Sequence, residues 1–367
     1  MTTVNLYELP TPALIIDLDI VERNLDAMAK LCREQGVGLR PHTKTHKTPE
    51  VGRMQVDRGA VGLTVAKVGE AEAMAAGGLD EILVAYPVLG AEKLGRLATL
   101  ARDHSLLMSL DNERTAEELS RAAAQASATV GVLVEFDSGY RRCGLQPGPA
   151  CVQLAARIEK LPGLKFRGLM TYFGTVWGTI EERQKQVRQV IAPVAHAVEA
   201  FAAARIPVEI VSGGSTPAAE FSREVPGLTE IRPGTYVYND LNTYFQGACR
   251  LEDCAACVLT TVVSTAVSGH AIVDAGSKTL SSDTLSSGPM AGFGRLVEVP
   301  DAPIFKLSEE HGHVDVTKSP HQFRVGEVLS IIPNHVCTCV NMHDEVFLVR
   351  KQEVVGSWRV AARGKIR

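Results

Sequence analysis

Short apolar runs alternate with alanine- and glutamate-rich stretches over the first two thirds of the chain. The apolar runs predict strands, and most intervals between them have the spacing of amphipathic helices. Eight such runs lie near residues 38–44, 61–66, 81–86, 105–110, 130–136, 166–173, 208–212 and 230–237. Eight strands alternating with helices are typical of a closed (β/α)8 TIM-type barrel. An open doubly wound sheet is the alternative, and the absence of a G-x-G-x-x-G motif after the early strands makes it weaker.

The pattern changes after about residue 245. β-branched runs separated by Gly, Pro, Ser and Asp predict strands with little helical periodicity. They lie at 257–267, 271–274, 325–333 and 345–349. The sequence therefore predicts a second, all-β domain, in which the Ser- and Gly-rich stretch 276–294 forms a long exposed loop.

Composition excludes several classes of function. The chain has 367 residues, a formal net charge of −4 and a pI near 6.2, which argue against nucleic-acid binding and against an acidic membrane surface. Neither a signal peptide nor an apolar run long enough to span a bilayer is evident. The eight cysteines are unevenly spaced, so we expect a cytoplasmic protein with mostly free thiols. Cys254 and Cys257 form a lone C-x-x-C, for which redox chemistry is the less favoured interpretation.

The basic segment 40–47, Arg-Pro-His-Thr-Lys-Thr-His-Lys, closes the first predicted strand. In parallel β/α folds, catalytic and ligand-binding residues lie at the carboxyl ends of the strands. A lysine there can form a Schiff base with a carbonyl cofactor, which makes Lys44 the candidate amine. His42, His46 and Lys47 are neighbours in sequence that would favour the reactive free amine. A solvated basic turn is the alternative, and position alone does not separate the two.

Two glycine-containing turns follow the seventh and eighth predicted strands. The first, 211–217, reads Val-Ser-Gly-Gly-Ser-Thr-Pro, and the second, 232–236, reads Arg-Pro-Gly-Thr-Tyr. Glycines allow close backbone approach, hydroxyls add donors, and proline suits the first turn of a helix, so each turn could bind a phosphate group. Loops after strands seven and eight are the usual phosphate site of such barrels. A simple strand-to-helix turn is the alternative.

Two further segments end strands on the same predicted rim. Residues 137–144, Asp-Ser-Gly-Tyr-Arg-Arg-Cys-Gly, offer guanidinium groups that could hold a phenolate or a carboxylate. Tyr172 ends the sixth strand and could pack on a ring or hydrogen-bond a substrate. A polar rim loop and ordinary core packing are the respective alternatives.

His335 and Cys337 form an H-x-C pair in the β domain. Alternate residues on a strand share a face, so the two side chains could bind one ion. A mixed N/S pair favours zinc over magnesium or calcium, and two protein ligands leave positions open for water or substrate. The spacing alone is a weak signal. His311 and His313 have the same spacing, but a solvated turn explains them.

Together these segments resemble the fold-type III pyridoxal-phosphate (PLP) enzymes. The branch they resemble most is the D-threonine aldolase and eukaryotic-type D-serine dehydratase family. The sequence segments that carry this resemblance are RPHTKTHK, DSGYRRCG, GLMTYFG, VSGGSTP, EIRPGTYVYND, DAGSKTLSSD, SEEHGHVD and PNHVC. The resemblance implies an alanine racemase-like barrel over 20–245 and a β-strand domain built from 1–19 and 246–367. It also implies a head-to-tail homodimer with active sites near the subunit interface.

The resemblance further implies roles for individual residues. Lys44 matches the Schiff-base lysine, Arg142 the arginine near the pyridoxal 3-oxygen, and Tyr172 an active-site tyrosine. His335 and Cys337 match a divalent-metal pair beside the cofactor, with Zn, Mn, Mg or Co as the ion. The phosphate-binding residues would be Ser212, Gly213, Gly214, Ser215, Gly234 and Thr235.

Two departures from the aldolase pattern bear on the reaction. Aldolases of the group pair the metal histidine with an aspartate, whereas the dehydratase branch uses cysteine, as Cys337 here. Some aldolases also place a histidine after the tyrosine motif, whereas 175–180 contains Trp177 and no histidine.

The reaction expected from the resemblance is a PLP- and metal-dependent lyase reaction on D-β-hydroxy-α-amino acids. The D-threonine aldolase type, giving glycine and an aldehyde, is preferred because of the overall run of motifs. The alternative is a D-serine or 3-hydroxy-D-aspartate dehydratase, which gives a 2-keto acid and ammonia. An amino-acid racemase is a lesser alternative, and a non-catalytic PLP-binding protein is another.

Overall fold

The chain folds into two compact units. The structure, a computed structural model, describes residues 4–174, 176–285 and 291–367. The barrel unit comprises Asp26–Lys44, Pro49–Gly234 and Gly364–Arg367. The sheet unit comprises the chain up to Leu25, Thr45–Thr48 and Thr235–Arg363.

The barrel unit contains, among its described residues, eight strands in one parallel sheet. From the second strand onward each strand pairs with the next, and Glu230–Ile231 pairs with Gly38–Leu39. An isolated bridge between His42 and Thr64 joins the remaining two edges, so the predicted closed barrel is confirmed. The strands are Gly38–Leu39, Leu63–Val65, Ile82–Val84, Leu106–Leu110, Val130–Glu135, Leu164–Met170, Ile210–Gly213 and Glu230–Ile231.

Burial on both faces explains why most of the barrel strands are mainly apolar rather than alternating. Every residue of Leu106–Leu110 and of Val130–Glu135 is buried. Neighbouring strands contribute to a shared apolar cluster, which contains Leu83, Leu107, Leu133 and Met170. The barrel interior is therefore packed, with an apolar cluster on these strands and buried polar side chains such as Arg40 and Glu230 elsewhere.

The helices largely match the predicted amphipathic stretches. The interval between the sixth and seventh predicted strands contains two helices rather than one, Ile180–Arg188 and Ile191–Ala203. Pro193 lies in the first turn of the second helix and has no N–H, so the first helix cannot continue through it. The others are Leu18–Gln35, Pro49–Val56, Val68–Ala76, Ala91–Leu100, Glu113–Gln125, Pro149–Ile158, Leu241–Phe245, Ser277–Leu280 and Val336–Val340, with 3-10 helices Leu6–Glu8, Thr216–Glu224, Thr235–Val237 and Leu251–Asp253.

The sheet unit contains a mostly antiparallel sheet, which confirms the predicted β domain. Ala13–Asp17 runs antiparallel to Ala256–Ser264 and parallel to Glu345–Arg350. The other described strands are Val4–Asn5, His270–Val273, Arg295–Leu296, Ile304–Leu307, Gly312–Asp315, Val328–Ile332 and Glu353–Arg359.

The stretch 276–294 differs in part from the predicted exposed loop. Ser277–Leu280 is a short helix, and Thr279 and Leu280 are buried. Residues 286–290 of this stretch lie outside the described part of the chain. In the described residues, no helix is both long enough and apolar enough to cross a membrane.

Candidate active site

Lys44 lies just beyond the first barrel strand, and its side chain is exposed. Its backbone N–H donates to His42 Nδ1 at 3.3 Å. Among the described residues, the Lys44 amine has neither a hydrogen bond nor an ion pair. The fold therefore presents it as an amine free to react.

The other cations of the 40–47 segment are held by structural contacts. Arg40 Nε donates to both carboxylate oxygens of Glu230 at 2.9 Å, and both side chains are 5% exposed. Arg40 Nη1 donates to the carbonyl oxygen of Glu81 at 2.9 Å. In the sheet unit, Lys47 is buried and its Nζ donates to the carbonyl oxygen of Ala362. These contacts leave Lys44 as the lysine of the segment that is available for chemistry.

The turn after the seventh strand fits a phosphate group. Gly214 has φ +74°, a conformation that favours glycine, and Ser215 precedes the 3-10 helix Thr216–Glu224. Ser215 Oγ is buried without a hydrogen-bond partner in the described residues. The amides of Gly214 and Ser215 likewise donate no hydrogen bond within those residues. A buried hydroxyl and two free amides at one turn are the donors that an anion requires.

The other candidate phosphate-binding residues of the two turns are tightly packed, hydrogen-bonded within the barrel, or divided between the two units. Gly213 is packed so tightly that a Cβ there would lie 2.7 Å from the ring of Phe173. The Ser212 hydroxyl is buried and donates to Glu230 Oε1 at 2.7 Å, so it belongs to a polar network inside the barrel. Gly234 ends a segment of the barrel unit, whereas Thr235 begins the 3-10 helix Thr235–Val237 of the sheet unit.

Arg232 is a candidate active-site residue that the sequence interpretation did not single out. It is buried, and its Nη1 donates to Ser212 Oγ at 2.7 Å while its Nη2 donates to the carbonyl oxygen of Thr171 at 2.8 Å. Burial lowers the pKa of its guanidinium to about 10, although Glu230 and Glu135 oppose the shift. Its position directly after an apolar strand was the available signal.

Arg142 and Tyr172 come from loops after different strands and lie in contact. The Arg142 guanidinium is 4.9 Å from the centroid of the Tyr172 ring and 5.4 Å from that of Tyr140. The two rings meet edge to face, with centroids 5.0 Å apart. Burial raises the pKa of the Tyr172 phenol, so this phenol is neutral at physiological pH and does not act as an anionic base.

The loop that carries Arg142 is held by two aspartates. Asp137 Oδ1 accepts the backbone N–H groups of Gly139 and Arg141 at 3.0 and 2.9 Å. Asp111 Oδ2 accepts the N–H of Gly144 at 2.9 Å. These bonds shape the loop without using the guanidinium, which remains available for a ligand.

Glu135 is a second residue that the sequence interpretation missed. It is buried at the end of the fifth strand, where Ser109 Oγ donates to its Oε2 at 3.4 Å. Burial raises the pKa of its carboxyl, and the positive charges of Arg232 and Arg142 oppose that shift. An acid in the last position of an otherwise apolar strand was the available signal.

In the sheet unit, His335 and Cys337 are not on a strand, so that part of the prediction was wrong. The strand ends at Ile332, Pro333 cannot donate to a ladder, and His335 is the N-cap residue of the helix Val336–Val340. The two side chains nevertheless meet. A hydrogen bond with Cys337 raises the pKa of His335 to about 9.

The surroundings of this pair fit a metal site. His335 Nδ1 lies 2.9 Å from Asp283 Oδ2, which also accepts the Thr338 hydroxyl at 2.7 Å. The contact occupies Nδ1 and leaves Nε2 for an ion, as in carboxylate–histidine–zinc arrangements. Cys337 Sγ contacts Thr45 Oγ1 at 3.2 Å. The described residues contain no group of three or more metal-binding side chains, so the candidate set is this pair.

The described cysteines are all unpaired. Burial raises the pKa of Cys257 to about 12 and so disfavours the thiolate that redox exchange requires. Cys254, the other member of the C-x-x-C, is buried and Cys257 is half-buried.

Comparisons with known proteins agree with these features. The alanine racemase N-terminal domain model matches residues 16–242, and a serine dehydratase domain model matches residues 255–349. A D-threonine aldolase from Arthrobacter sp. is 35% identical over 364 residues, covering 98% of this chain and 94% of the relative. The chain belongs to the D-threonine aldolase and D-serine dehydratase family. It is a lyase with an alanine racemase-like fold.

Solved structures of the family have the same architecture. That of D-threonine aldolase from Filomicrobium marinum has a TM-score of 0.92 and 33% identity, covering 100% of this chain and 99% of the other. The D-threo-3-hydroxyaspartate dehydratase of Delftia sp. is 33% identical over 352 residues, covering 90% of this chain and 92% of the relative. The metal-free form of a D-threo-3-hydroxyaspartate dehydratase variant with a cysteine replaced by alanine has a TM-score of 0.89 and 30% identity, covering 97% of this chain and 98% of the other.

Proposed function

We propose that the protein is a PLP- and divalent-metal-dependent lyase of D-configured β-hydroxy-α-amino acids, and that it catalyses retro-aldol cleavage to glycine and an aldehyde.

 The observation that carries this proposal is the exposed Lys44 amine in the same barrel unit as a turn whose Ser215 hydroxyl is buried and unpartnered in the described residues. A lysine and an anion-binding turn at strand ends are what a barrel needs to hold PLP.

The barrel unit has residues suited to each part of PLP. Ser215 Oγ and the amides of Gly214 and Ser215 would bind the phosphate, and Gly234 and Thr235 are proposed to add to this set. Arg142 would bind the 3-oxygen, and Lys44 would hold the cofactor covalently. When bound, PLP supplies an electron sink for the electron pair that is released as a bond to Cα breaks.

The sheet unit has residues suited to a divalent ion. His335 Nε2 and Cys337 Sγ would hold it, and Asp283 fixes the imidazole by its contact with Nδ1. The mixed nitrogen and sulfur donors favour zinc over Mn, Mg or Co. When bound, the ion supplies a Lewis acid for a substrate oxygen.

The two candidate reactions differ in which proton leaves. In retro-aldol cleavage, a base removes the proton of the β-hydroxyl and the Cα–Cβ bond breaks, giving glycine and an aldehyde. In dehydration, Lys44 Nζ takes the α-proton and hydroxide leaves Cβ as water. A water molecule then replaces the amino group, giving a 2-keto acid and ammonia. Tyr172, whose phenol is neutral, would orient the substrate by donating a hydrogen bond in either reaction.

We favour the aldolase because the Arthrobacter and Filomicrobium relatives are both D-threonine aldolases. Cys337 and the lack of a histidine in 175–180 favour the dehydratase as the second candidate. We also propose that the protein is a homodimer, as the family resemblance implies, and that it is cytoplasmic, as the uneven spacing of its cysteines indicates. Sedimentation of the purified protein tests the homodimer.

One assay separates the reactions. The protein is incubated with PLP, a divalent metal and either D-threonine or D-threo-3-hydroxyaspartate, with and without a chelator. Glycine plus aldehyde identifies the aldolase, and 2-keto acid plus ammonia identifies the dehydratase. Conversion to the L-amino acid alone, or no turnover of either substrate, would refute the proposed lyase reaction.

A further inference from the structure

Arg183 is a buried arginine that lies behind the phosphate-binding turn rather than in it. It belongs to the helix Ile180–Arg188, and its Nη1 donates to the carbonyl oxygen of Pro217 at 2.9 Å. Its Nη2 forms an ion pair with Glu220 at 2.5 Å, and its guanidinium lies 5.5 Å from the centroid of the Phe221 ring. One side chain therefore makes three contacts with a single short segment.

The segment that Arg183 contacts begins directly after the turn. Pro217 and Glu220 belong to the 3-10 helix Thr216–Glu224, and Ser215 is its N-cap residue without a side-chain cap. Hydrogen bonds of 3-10 helices have poorer geometry than those of α-helices, so such a segment depends on contacts from outside. The bond to Pro217 holds the helix two residues from the Ser215 hydroxyl.

The far end of the same 3-10 helix has its own contacts. Arg188 Nε forms an ion pair with Glu224 at 2.9 Å, and the Gln184 amide donates to the same carboxylate. Arg188 is 59% exposed, whereas Arg183 is buried. The chain thus offers two arginines on one helix, one near the turn and one at the distal end.

We propose that Arg183 is a positioning residue for the phosphate group of the cofactor. Through Pro217 and Glu220 it fixes the Ser215 hydroxyl and the amides of Gly214 and Ser215 without touching the ligand. The inference rests on the proposed PLP binding. On this inference, Arg183 contributes to the part of the PLP affinity that comes from the phosphate group. It contributes nothing to the affinity for the pyridine ring.

The test compares PLP with pyridoxal, which lacks the phosphate. Both are titrated into the cofactor-stripped full-length protein, and dissociation constants are obtained from the change in absorbance. Arg183→Met should weaken PLP binding about tenfold, since hydrogen bonds to charged groups contribute at this level, and should leave pyridoxal binding unchanged. Arg183→Lys should recover part of the PLP affinity. Arg188→Met is the matched control and should bind both ligands as the wild type does.

The other possible outcomes of this titration would contradict either the inference about Arg183 or the proposed function. An equal loss for PLP and pyridoxal in Arg183→Met would show a general effect on the fold and would overturn the inference, as would no loss for either. If Arg183→Met does not fold, the ratio of the two dissociation constants in Arg183→Lys decides in the same way. Wild-type protein that binds neither ligand would refute the proposed function itself.

Discussion

Asp283 Oδ2 lies 2.9 Å from His335 Nδ1, and the Thr338 hydroxyl donates to the same oxygen. The carboxylate thus holds the Nδ1 edge of the imidazole. Burial by itself would raise the pKa of Asp283, but hydrogen bonding from Thr338 and the charge of His335 outweigh burial and keep this pKa below its ordinary value. A histidine held in this way presents Nε2 in one orientation. The contact joins the DAGSKTLSSD and PNHVC segments in one candidate metal site.

Replacement of Asp283 by alanine should weaken metal binding. Partners of this kind commonly contribute about 10–100-fold to metal affinity, because they fix the orientation of the ligand ring and raise its basicity. Competition with a chromogenic zinc chelator measures the loss. PLP absorbance should be unchanged, because no residue assigned to PLP is altered.

Asp315→Asn provides the control for this experiment. Asp315 is also a carboxylate of the sheet unit, but its partner is the turn residue Thr317. Its replacement should leave zinc affinity unchanged. If Asp283→Ala retains wild-type zinc affinity, Asp283 does not support a metal ligand.

Replacement of Lys44 by alanine should abolish the visible absorbance band of protein-bound PLP, because no amine remains to hold the cofactor covalently. Lys47→Met is the matched control from the same segment. It removes the hydrogen bond from Nζ to Ala362, so a modest loss of stability is expected while the band persists. A band that survives in Lys44→Ala would refute the assignment of Lys44.

The buried pair of Arg40 and Glu230 should contribute strongly to stability. Glu230→Gln leaves the Arg40 guanidinium buried without a counter-charge, and such changes cost about 3–5 kcal/mol. Urea denaturation of the cofactor-free protein measures the loss. Glu117→Gln is the control, because Glu117 pairs with Arg157 at the surface and its loss should leave the midpoint nearly unchanged. Equal midpoints for the two variants would contradict this role of the pair.

Features visible along the chain were predicted from the sequence. Most barrel strands are mainly apolar runs; the turn at 211–217 ends one such run, and Lys44 follows another within a few residues. Both could therefore be placed at strand ends before any contact was known.

The missed features depend on partners that are distant in sequence. Val336 N–H donates to Asp240, which is 96 residues away, and this contact helps to begin a helix where the sequence predicted a strand. Asp283 and His335 are 52 residues apart. Arg183 and Pro217 are 34 residues apart, and neither residue type indicates the other.

Glu135 should make stability depend on pH. Burial raises the pKa of its carboxyl above the ordinary value of 4.5, with Asp111 adding to the shift and Arg232 and Arg142 opposing it. The folded protein therefore binds this proton more tightly than the unfolded chain does. As pH rises above about 4.5, the unfolded chain ionises first, so the contribution of Glu135 to stability falls until the folded-state pKa is passed.

Glu135→Gln removes this ionisation, so the stability of the variant relative to the wild type should rise as pH increases from about 4 to 8. Urea midpoints of the cofactor-free proteins at a series of pH values measure the difference. Ser109→Ala keeps the carboxyl and should retain the pH dependence of the wild type, because burial is the main cause of the raised pKa and the hydrogen bond from Ser109 only opposes it weakly. A difference between Glu135→Gln and wild type that is constant with pH would show that the Glu135 carboxyl titrates alike in the folded and unfolded chains.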